Sequence, residues 1–186
     1  MVHSSDLGGR LAGWMNVNHD RDLLVALARI SPSSWQGTVY RHMFAKYPPD
    51  RENIGGARWN PPEVPAIYTS LSRETVLAEA EYQISMEPLR PSVRRTVYQI
   101  EVTLSSVLDL SSPSLLQSLG LPLTDIAAND HASCQRIGGA VEHLGHDGLL
   151  VPSARAIDGV NLVIYPNQQT ADYGFRIVAA DVIYKP

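Results

Sequence analysis

Residues 66–86 read AIYTSLSRETVLAEAEYQISM, and in this stretch a predicted strand runs almost directly into a predicted helix. We predict the short strand over 66–70. Ser72 begins the helix, since a serine hydroxyl can accept hydrogen bonds from the free N–H groups of a first turn. Glu74 in that turn suits the helix dipole, and the helix is predicted to end near Met86.

Glu79 lies on the core side of this predicted helix. Glu79 follows Val76, a member of the apolar stripe, by three residues. Glu81, by contrast, points about 200° away from Glu79 around the helix and faces solvent. A carboxylate on the core side of a helix is costly unless it is paired, and charges in clefts are functional candidates. Two interpretations are open at this point: Glu79 has a functional role, or it neutralises Arg58 or Arg41 in a structural ion pair.

Strands and helices elsewhere follow no regular βαβ alternation. The clearest strand is predicted over 96–104, where apolar residues alternate with polar ones. Further strands are predicted over 37–43, 148–151, 161–165 and 175–184, and helices over 20–30, over 131–144 and, in a short piece, between Ser112 and Gly120. Several strands with segregated helices favour an α+β fold.

Length and composition exclude several classes of protein. The 186 residues suffice for one domain with its own core, which we expect over 19–186 after a loosely ordered segment 1–18. The net charge of −4 gives no reason to expect contact with nucleic acid or membranes, and a single cysteine excludes an internal disulfide. No apolar run could span a bilayer and no signal-peptide pattern opens the chain, so we expect a cytoplasmic protein.

Two pairs of potential metal ligands stand at zinc-like spacing, His131-x-x-Cys134 and His143-x-x-His146. Both pairs fall on one predicted helix and its exit, which spreads them over roughly 20 Å, whereas a tetrahedral site needs pairs that converge. Exposed or helix-end histidines and a buried thiol are therefore the favoured interpretation. The chain contains no G-x-S-x-G nucleophile motif, no P-loop and no G-x-G-x-x-G motif.

A long loop is predicted over 45–65, where five prolines and two adjacent glycines occur. Loops of this length inside a compact domain are usually functional or disordered. The loop contains the block GGARWNP over 55–61, and it leads into the strand that carries Tyr68.

These segments together resemble the RES domain of bacterial toxin–antitoxin systems. The resemblance covers about residues 38–166, and Ala57 is a departure, since the family often has glycine there. The segments that carry it are Tyr40-Arg41, the block over 55–61, Ile67-Tyr68-x-Ser70, Glu79, Cys134-Gln135-x-x-Gly138, the stretch DGLLVPSAR over 147–155, and Asn161-Leu162-Val163.

The resemblance implies a fold and a function. The fold would be α+β, similar to that of ADP-ribosyltransferase toxins, with a central split β-sheet and peripheral helices. Members of the family consume NAD⁺: some degrade it by hydrolysis or phosphorolysis, and some transfer ADP-ribose to a protein acceptor. An antitoxin with an Xre-like DNA-binding domain holds them inactive, so the expected partners are NAD as substrate and that antitoxin, with no metal and no direct contact to nucleic acid.

The family is named for an arginine, a glutamate and a serine, which match Arg58, Glu79 and Ser153 by motif. Cleavage of the nicotinamide–ribose bond develops positive charge on the ribose, and a fixed negative charge beside it lowers the barrier. We expect Glu79 to supply that charge. Arg58 is expected to bind the pyrophosphate in a fork, with Arg41 as a second phosphate contact.

The remaining assignments concern substrate contacts. Tyr68, the third expected catalytic residue, would stack on nicotinamide or ribose, while Ser153 and Asn161 would hydrogen-bond the ribose or the amide. Trp59 is expected to anchor the loop in the core rather than cover the cofactor, and Arg155 is expected to be a surface charge, like Arg176. Structural alternatives stay open: Arg41 as a solvated strand-edge charge, Tyr68 as a core tyrosine and Ser153 as a turn cap. A non-catalytic module that binds a nucleotide or the antitoxin in the same cleft is the alternative function.

Overall fold

Five α-helices and six strands lie within residues 19–87 and 94–184, which are the residues that the computed structural model describes. The segment 1–18, predicted to be loosely ordered, lies outside the described residues. The helices are Arg21–Leu27 (α1), Arg73–Ser85 (α2), Pro113–Ser118 (α3), Leu123–Ala127 (α4) and Ala132–His143 (α5), with a 3₁₀ turn over Pro166–Gln168. The strands are Ser33–Phe44 (β1), Ile67–Ser70 (β2), Arg95–Asp109 (β3), Gly148–Pro152 (β4), Val160–Ile164 (β5) and Gly174–Tyr184 (β6).

The six strands form one sheet in the order β1-β2-β5-β4-β3-β6. β1 runs antiparallel along nearly all of β3, and the other edge of β3 is shared between β6 over 95–103 and β4 over 107–109. The short strands β4, β5 and β2 therefore diverge from the long strands and return to β1 at the pair Tyr40–Ser70. Beyond that pair β1 and β2 separate, and the gap between them opens a cleft. The α+β class predicted from the sequence is confirmed.

The core has two parts that lie on either side of the short strands. The first packs α1, α3, α4 and α5 against β4 and β5, with Leu27, Ile137 and Leu149 fully buried. The second lies between the long and short strands and contains Ile100 and Leu104 from the alternating face of β3, as that alternation predicts. None of the helices in the described residues has the length and apolar character needed to cross a lipid bilayer.

The predicted elements are present with shifted ends. α2 follows Ser72, whose Oγ accepts a hydrogen bond from the backbone N–H of Thr75 at 3.1 Å. β3 continues five residues beyond its predicted end because residues 107–109 pair in parallel with β4. The backbone N–H groups of Ser105 and Ser106, just before that pairing, donate to the buried carboxylate of Asp147. α4 was missed, since five residues do not span two turns of an apolar pattern. α1 ends before the predicted residue 30.

Candidate active site

The cleft between β1 and β2 has a volume of about 470 Å³ and gathers the predicted site residues. Its walls come from β1, the loop 45–65, β2, α2, the start of α5 and the segment after β4. Five of the six predicted site residues line it: Arg41, Arg58, Tyr68, Glu79 and Asn161. The sixth, Ser153, lies behind Glu79 and contacts its carboxylate.

Glu79 is half-buried on α2, and two neutral side chains hold its carboxylate. Its Oε1 accepts a hydrogen bond from the Ser153 hydroxyl at 2.6 Å and from the Asn161 amide at 3.1 Å. No guanidinium of the described residues comes within 4.0 Å of the carboxylate, so the structural ion pair with Arg58 or Arg41 is absent from this geometry. Oε2 of the carboxylate is therefore available to accept a hydrogen bond from a ligand in the cleft.

Ser153 positions Glu79 and does not reach the cleft surface. Its Oγ accepts the backbone N–H groups of Arg155 and Ala156, both at 3.1 Å, and donates its one proton to Glu79. All the hydrogen bonds that this hydroxyl can make are therefore made within the protein. Ser153 caps the turn, as considered from the sequence, and also orients the Glu79 carboxylate. A direct hydrogen bond from Ser153 to ribose does not fit this arrangement.

Arg58 is half-buried where the loop 45–65 meets α5. Its Nη1 donates to the Ala128 carbonyl at 2.9 Å, and the remaining N–H groups stay available to the cleft. Burial lowers the pKa of the guanidinium, the nearby charge of Arg155 lowers it further, and Glu79 opposes both effects. Beside it, burial raises the pKa of the Cys134 thiol to about 11, so the thiol stays protonated at neutral pH and is not a nucleophile.

Two contacts with α5 and one with Tyr165 fix the loop that carries Arg58. The Gln135 amide donates to the Ala57 carbonyl at 2.9 Å. Gly138 allows the loop to touch the helix, because a Cβ there would lie 1.9 Å from the Trp59 carbonyl oxygen. That carbonyl accepts the Tyr165 hydroxyl at 3.0 Å, and the Trp59 side chain is buried, so its predicted role as a core anchor is confirmed.

Tyr68 presents its ring to the cleft and its hydroxyl to the protein. The hydroxyl accepts the Trp59 backbone N–H and donates to the side-chain Oδ1 of Asn60, both at 2.7 Å. Burial raises the pKa of this phenol, which therefore stays protonated. Asn60 is fully buried and also donates to the carbonyl groups of Asn53 and Val64. The ring of Tyr68 can thus stack on a ligand, but its hydroxyl cannot take part in proton transfer.

Arg41 is buried on β1, which rules out the solvated strand-edge charge. Its Nη2 donates to the Arg51 carbonyl at 2.6 Å and its Nε to the Met43 sulfur at 3.1 Å, whereas Nη1 is buried with no partner among the described residues. Burial lowers its pKa to about 10, so it keeps its charge at neutral pH. A buried cation with one unfilled donor group on a cleft wall is suited to an anionic ligand.

Arg155, expected to be a surface charge, instead lies on the wall of the cleft, so that prediction was wrong. This residue is half-buried, lines the cleft and lies with its guanidinium carbon 3.4 Å from the ring centroid of Tyr82. Tyr82 also lines the cleft, one helical turn after Glu79, and the i, i+3 spacing was the available signal. Arg176, by contrast, is exposed and pairs with Glu101, as expected for a surface charge.

The residues at zinc-like spacing have separate surroundings. Cys134 is buried beside Arg58, the His143 ring lies 4.6 Å from that of His19, and His146 shares a hydrogen bond of 2.9 Å with the Ser106 hydroxyl. Within the described part of the chain, no three His, Cys, Asp or Glu side chains are grouped so as to hold a metal ion.

Comparisons with known proteins relate this geometry to one family. Residues 26–184 match the RES domain family. The NAD(+) phosphorylase MbcT of Mycobacterium tuberculosis and that of Mycobacterium bovis are each 34% identical to the chain over 145 residues, which are 73% of this chain and 75% of the relative. A crystal structure of the M. tuberculosis MbcT–MbcA toxin–antitoxin complex superposes with a TM-score of 0.78 at 29% identity, covering 88% of this chain and 93% of that one.

Proposed function

Since this chain belongs to the RES domain family, we propose that it is the toxin of a toxin–antitoxin pair and that it cleaves the nicotinamide–ribose bond of NAD⁺. One observation carries the proposal: a carboxylate, Glu79, is held by neutral hydrogen-bond donors on the wall of a cleft that three arginines also line. Such a site suits a substrate with an anionic pyrophosphate and a sugar that becomes cationic as it reacts.

Glu79 stabilises the reacting sugar by position and charge. When the bond from the ribose anomeric carbon to the nicotinamide nitrogen breaks, the electron pair leaves with nicotinamide, which is neutral and needs no proton. Positive charge then develops on the ribose, next to the Glu79 carboxylate. Because Ser153 and Asn161 already hold Oε1, the carboxylate needs no reorganisation during the reaction, and this preorganisation lowers the barrier.

The arginines and Tyr68 hold the substrate. Arg41, with its unfilled Nη1, and Arg58, with its free N–H groups, bind the pyrophosphate as forked donors. The Tyr68 ring, fixed through its hydroxyl to the loop, stacks on nicotinamide or ribose. We place the fold with the ADP-ribosyltransferase toxins because the short strands diverge from the long strands beside the cleft that holds Glu79.

Partner, acceptor and location complete the proposal. The structural relative is a toxin–antitoxin complex, so an antitoxin with an Xre-like DNA-binding domain is the partner that occludes the cleft in the cytoplasm. The relatives named as NAD(+) phosphorylases support phosphate as the acceptor, ahead of water or a protein side chain. NAD is thus a substrate, and the chemistry described requires no metal.

The test is nicotinamide release from NAD⁺ by the purified chain free of antitoxin, with products identified by mass spectrometry. Glu79→Gln keeps the shape of the side chain and removes its charge, so turnover should fall by about 100-fold or more while NAD⁺ affinity changes little. Glu81→Gln is the matched control, because Glu81 is exposed on the same helix. If the folded wild type releases no nicotinamide with phosphate, without it or with cell lysate, the chain is a binding module.

A further inference from the structure

Arg155 lies beside Glu79 on a rigid turn. The turn begins at Ser153, whose hydroxyl joins the backbone N–H of Arg155 to the Glu79 carboxylate. The Arg155 guanidinium lies over the ring of Tyr82, one helical turn beyond Glu79 on α2. Stacking fixes the plane of the guanidinium and leaves its N–H groups, which point along that plane, free to donate.

The charges of the cleft leave Arg155 without a counter-ion. Three arginines and one glutamate line the cleft, and no carboxylate of the described residues lies within 4.0 Å of Arg155. In the proposed function, Arg41 and Arg58 match the two charges of the NAD⁺ pyrophosphate. The guanidinium of Arg155 is therefore available to bind a second anion, separate from the dinucleotide.

The place of Arg155 indicates which anion that is. Glu79 marks the position of the ribose anomeric carbon, and Arg155 is connected to Glu79 through one hydroxyl, whereas Arg41 lies across the cleft on β1. An anion held by Arg155 is consequently close to the carbon that loses nicotinamide. Inorganic phosphate is an anion of the right size, and a forked guanidinium binds two of its oxygens at once.

We infer that Arg155, stacked on Tyr82, binds the inorganic phosphate that replaces nicotinamide, and so selects phosphorolysis over hydrolysis. The inference rests on the proposed function and names the residue that chooses the acceptor. In the step, the carbon–nitrogen bond breaks with its electron pair on nicotinamide, and an oxygen of HPO₄²⁻ forms the new bond to the anomeric carbon. The products are nicotinamide and ADP-ribose phosphate, and no oxidant, reductant or further proton is needed.

The experiment measures nicotinamide release at increasing inorganic phosphate, together with the ratio of ADP-ribose phosphate to ADP-ribose among the products. Arg155→Ala should raise the KM for phosphate by about 10- to 100-fold, shift the products towards ADP-ribose and leave the KM for NAD⁺ within about twofold. Arg155→Lys keeps the charge without the fork and should be intermediate. Arg176→Ala, which removes an exposed arginine near the start of β6 that does not line the cleft, is the control and should match the wild type.

Variants of Tyr82 test the same inference without touching the cation. Tyr82→Phe keeps the ring under Arg155 and should retain the wild-type KM for phosphate, whereas Tyr82→Leu removes the ring and should raise that KM. These two variants also decide the matter if Arg155→Ala fails to fold.

The outcomes separate this inference from the proposed function. A wild type that releases no nicotinamide overturns both, whereas one that releases nicotinamide independently of phosphate overturns only the role of Arg155. If Arg155→Ala changes the KM for NAD⁺ and not that for phosphate, Arg155 binds the dinucleotide and the inference is wrong. Unchanged KM values for both substrates would overturn it as well.

Discussion

Gly138→Ala provides a sharp test of how α5 holds the active-site loop. The added Cβ would lie 1.9 Å from the Trp59 carbonyl oxygen, 2.6 Å from its carbon and 2.9 Å from the Tyr165 hydroxyl. Contacts of a real Cβ essentially never fall below 3.0 Å, so helix and loop must separate by about 1 Å. The obstructing atoms are backbone, which cannot rotate away as the end of a flexible side chain can.

The expected cost follows from these contacts. Overpacking against backbone costs about 3 kcal/mol, at the upper end of the usual range. Losing the buried hydrogen bond from Tyr165 to Trp59 costs about 1 kcal/mol more, and the better helix propensity of alanine returns about 1 kcal/mol. We therefore expect the free energy of unfolding to fall by about 3 kcal/mol. Arg58, next to Trp59, would move as well, and a shift of 1 Å in a positioning group can cost about 100-fold in activity.

Gly139→Ala is the matched control, because it makes the same change one residue later in the same helix. Its Cβ would meet the ring of Pro61 at 3.2 Å and Cε1 of His19 at 3.6 Å, so a displacement of a few tenths of an ångström suffices and stability should change by less than about 1 kcal/mol. Urea unfolding and nicotinamide release of both variants give the comparison. Equal stability and activity of the two alanine variants would refute the close approach of loop and helix.

Two further predictions concern stability. Burial lowers the pKa of His42 to about 4 from an ordinary value near 6.5, so the unfolded chain binds an extra proton between these values and stability should fall as pH drops from 6.5 to 4. His42→Gln should reduce that slope in unfolding measurements across this range, and an unchanged slope would contradict a buried, neutral His42. Tyr68→Phe removes the hydroxyl that joins the Trp59 N–H to Asn60. It should lower the free energy of unfolding by about 1–3 kcal/mol in urea titrations, while the KM for NAD⁺ stays within about twofold. An unchanged unfolding midpoint would show that this hydroxyl does not hold the loop.

The ends of elements show where local patterns stop being informative. The strand over 96–104 and the helix after Ser72 were predicted because their periodicity and capping lie within the segment itself. The last five residues of β3 lack such a pattern; the parallel pairing with β4 and the carboxylate of Asp147 hold them in the sheet. Strand pairing of that kind depends on a partner some 40 residues away.

Several residues of the candidate site could be predicted from the sequence, but their hydrogen-bond partners could not. Motif residues such as Arg58, Glu79 and Asn161 were predicted, and the structure brings them to one cleft, although their individual roles stay predictions. The hydroxyls of Tyr68 and Ser153 form hydrogen bonds within the protein, and these partners could not be predicted. Residue type shows what a group can donate or accept, but it does not show which neighbour lies within hydrogen-bond distance.

The fold class, the chain's membership of its family and the residue types at the site can all be predicted from the amino-acid sequence, since periodicity, capping and ordered motifs are local properties. The stacking of Arg155 on Tyr82 and the close approach of Gly138 to the Trp59 carbonyl depend instead on the tertiary structure. Both contacts join residues more than 70 positions apart. Such contacts arise from how closely helices, strands and loops pack, and that closeness is a property of the whole core.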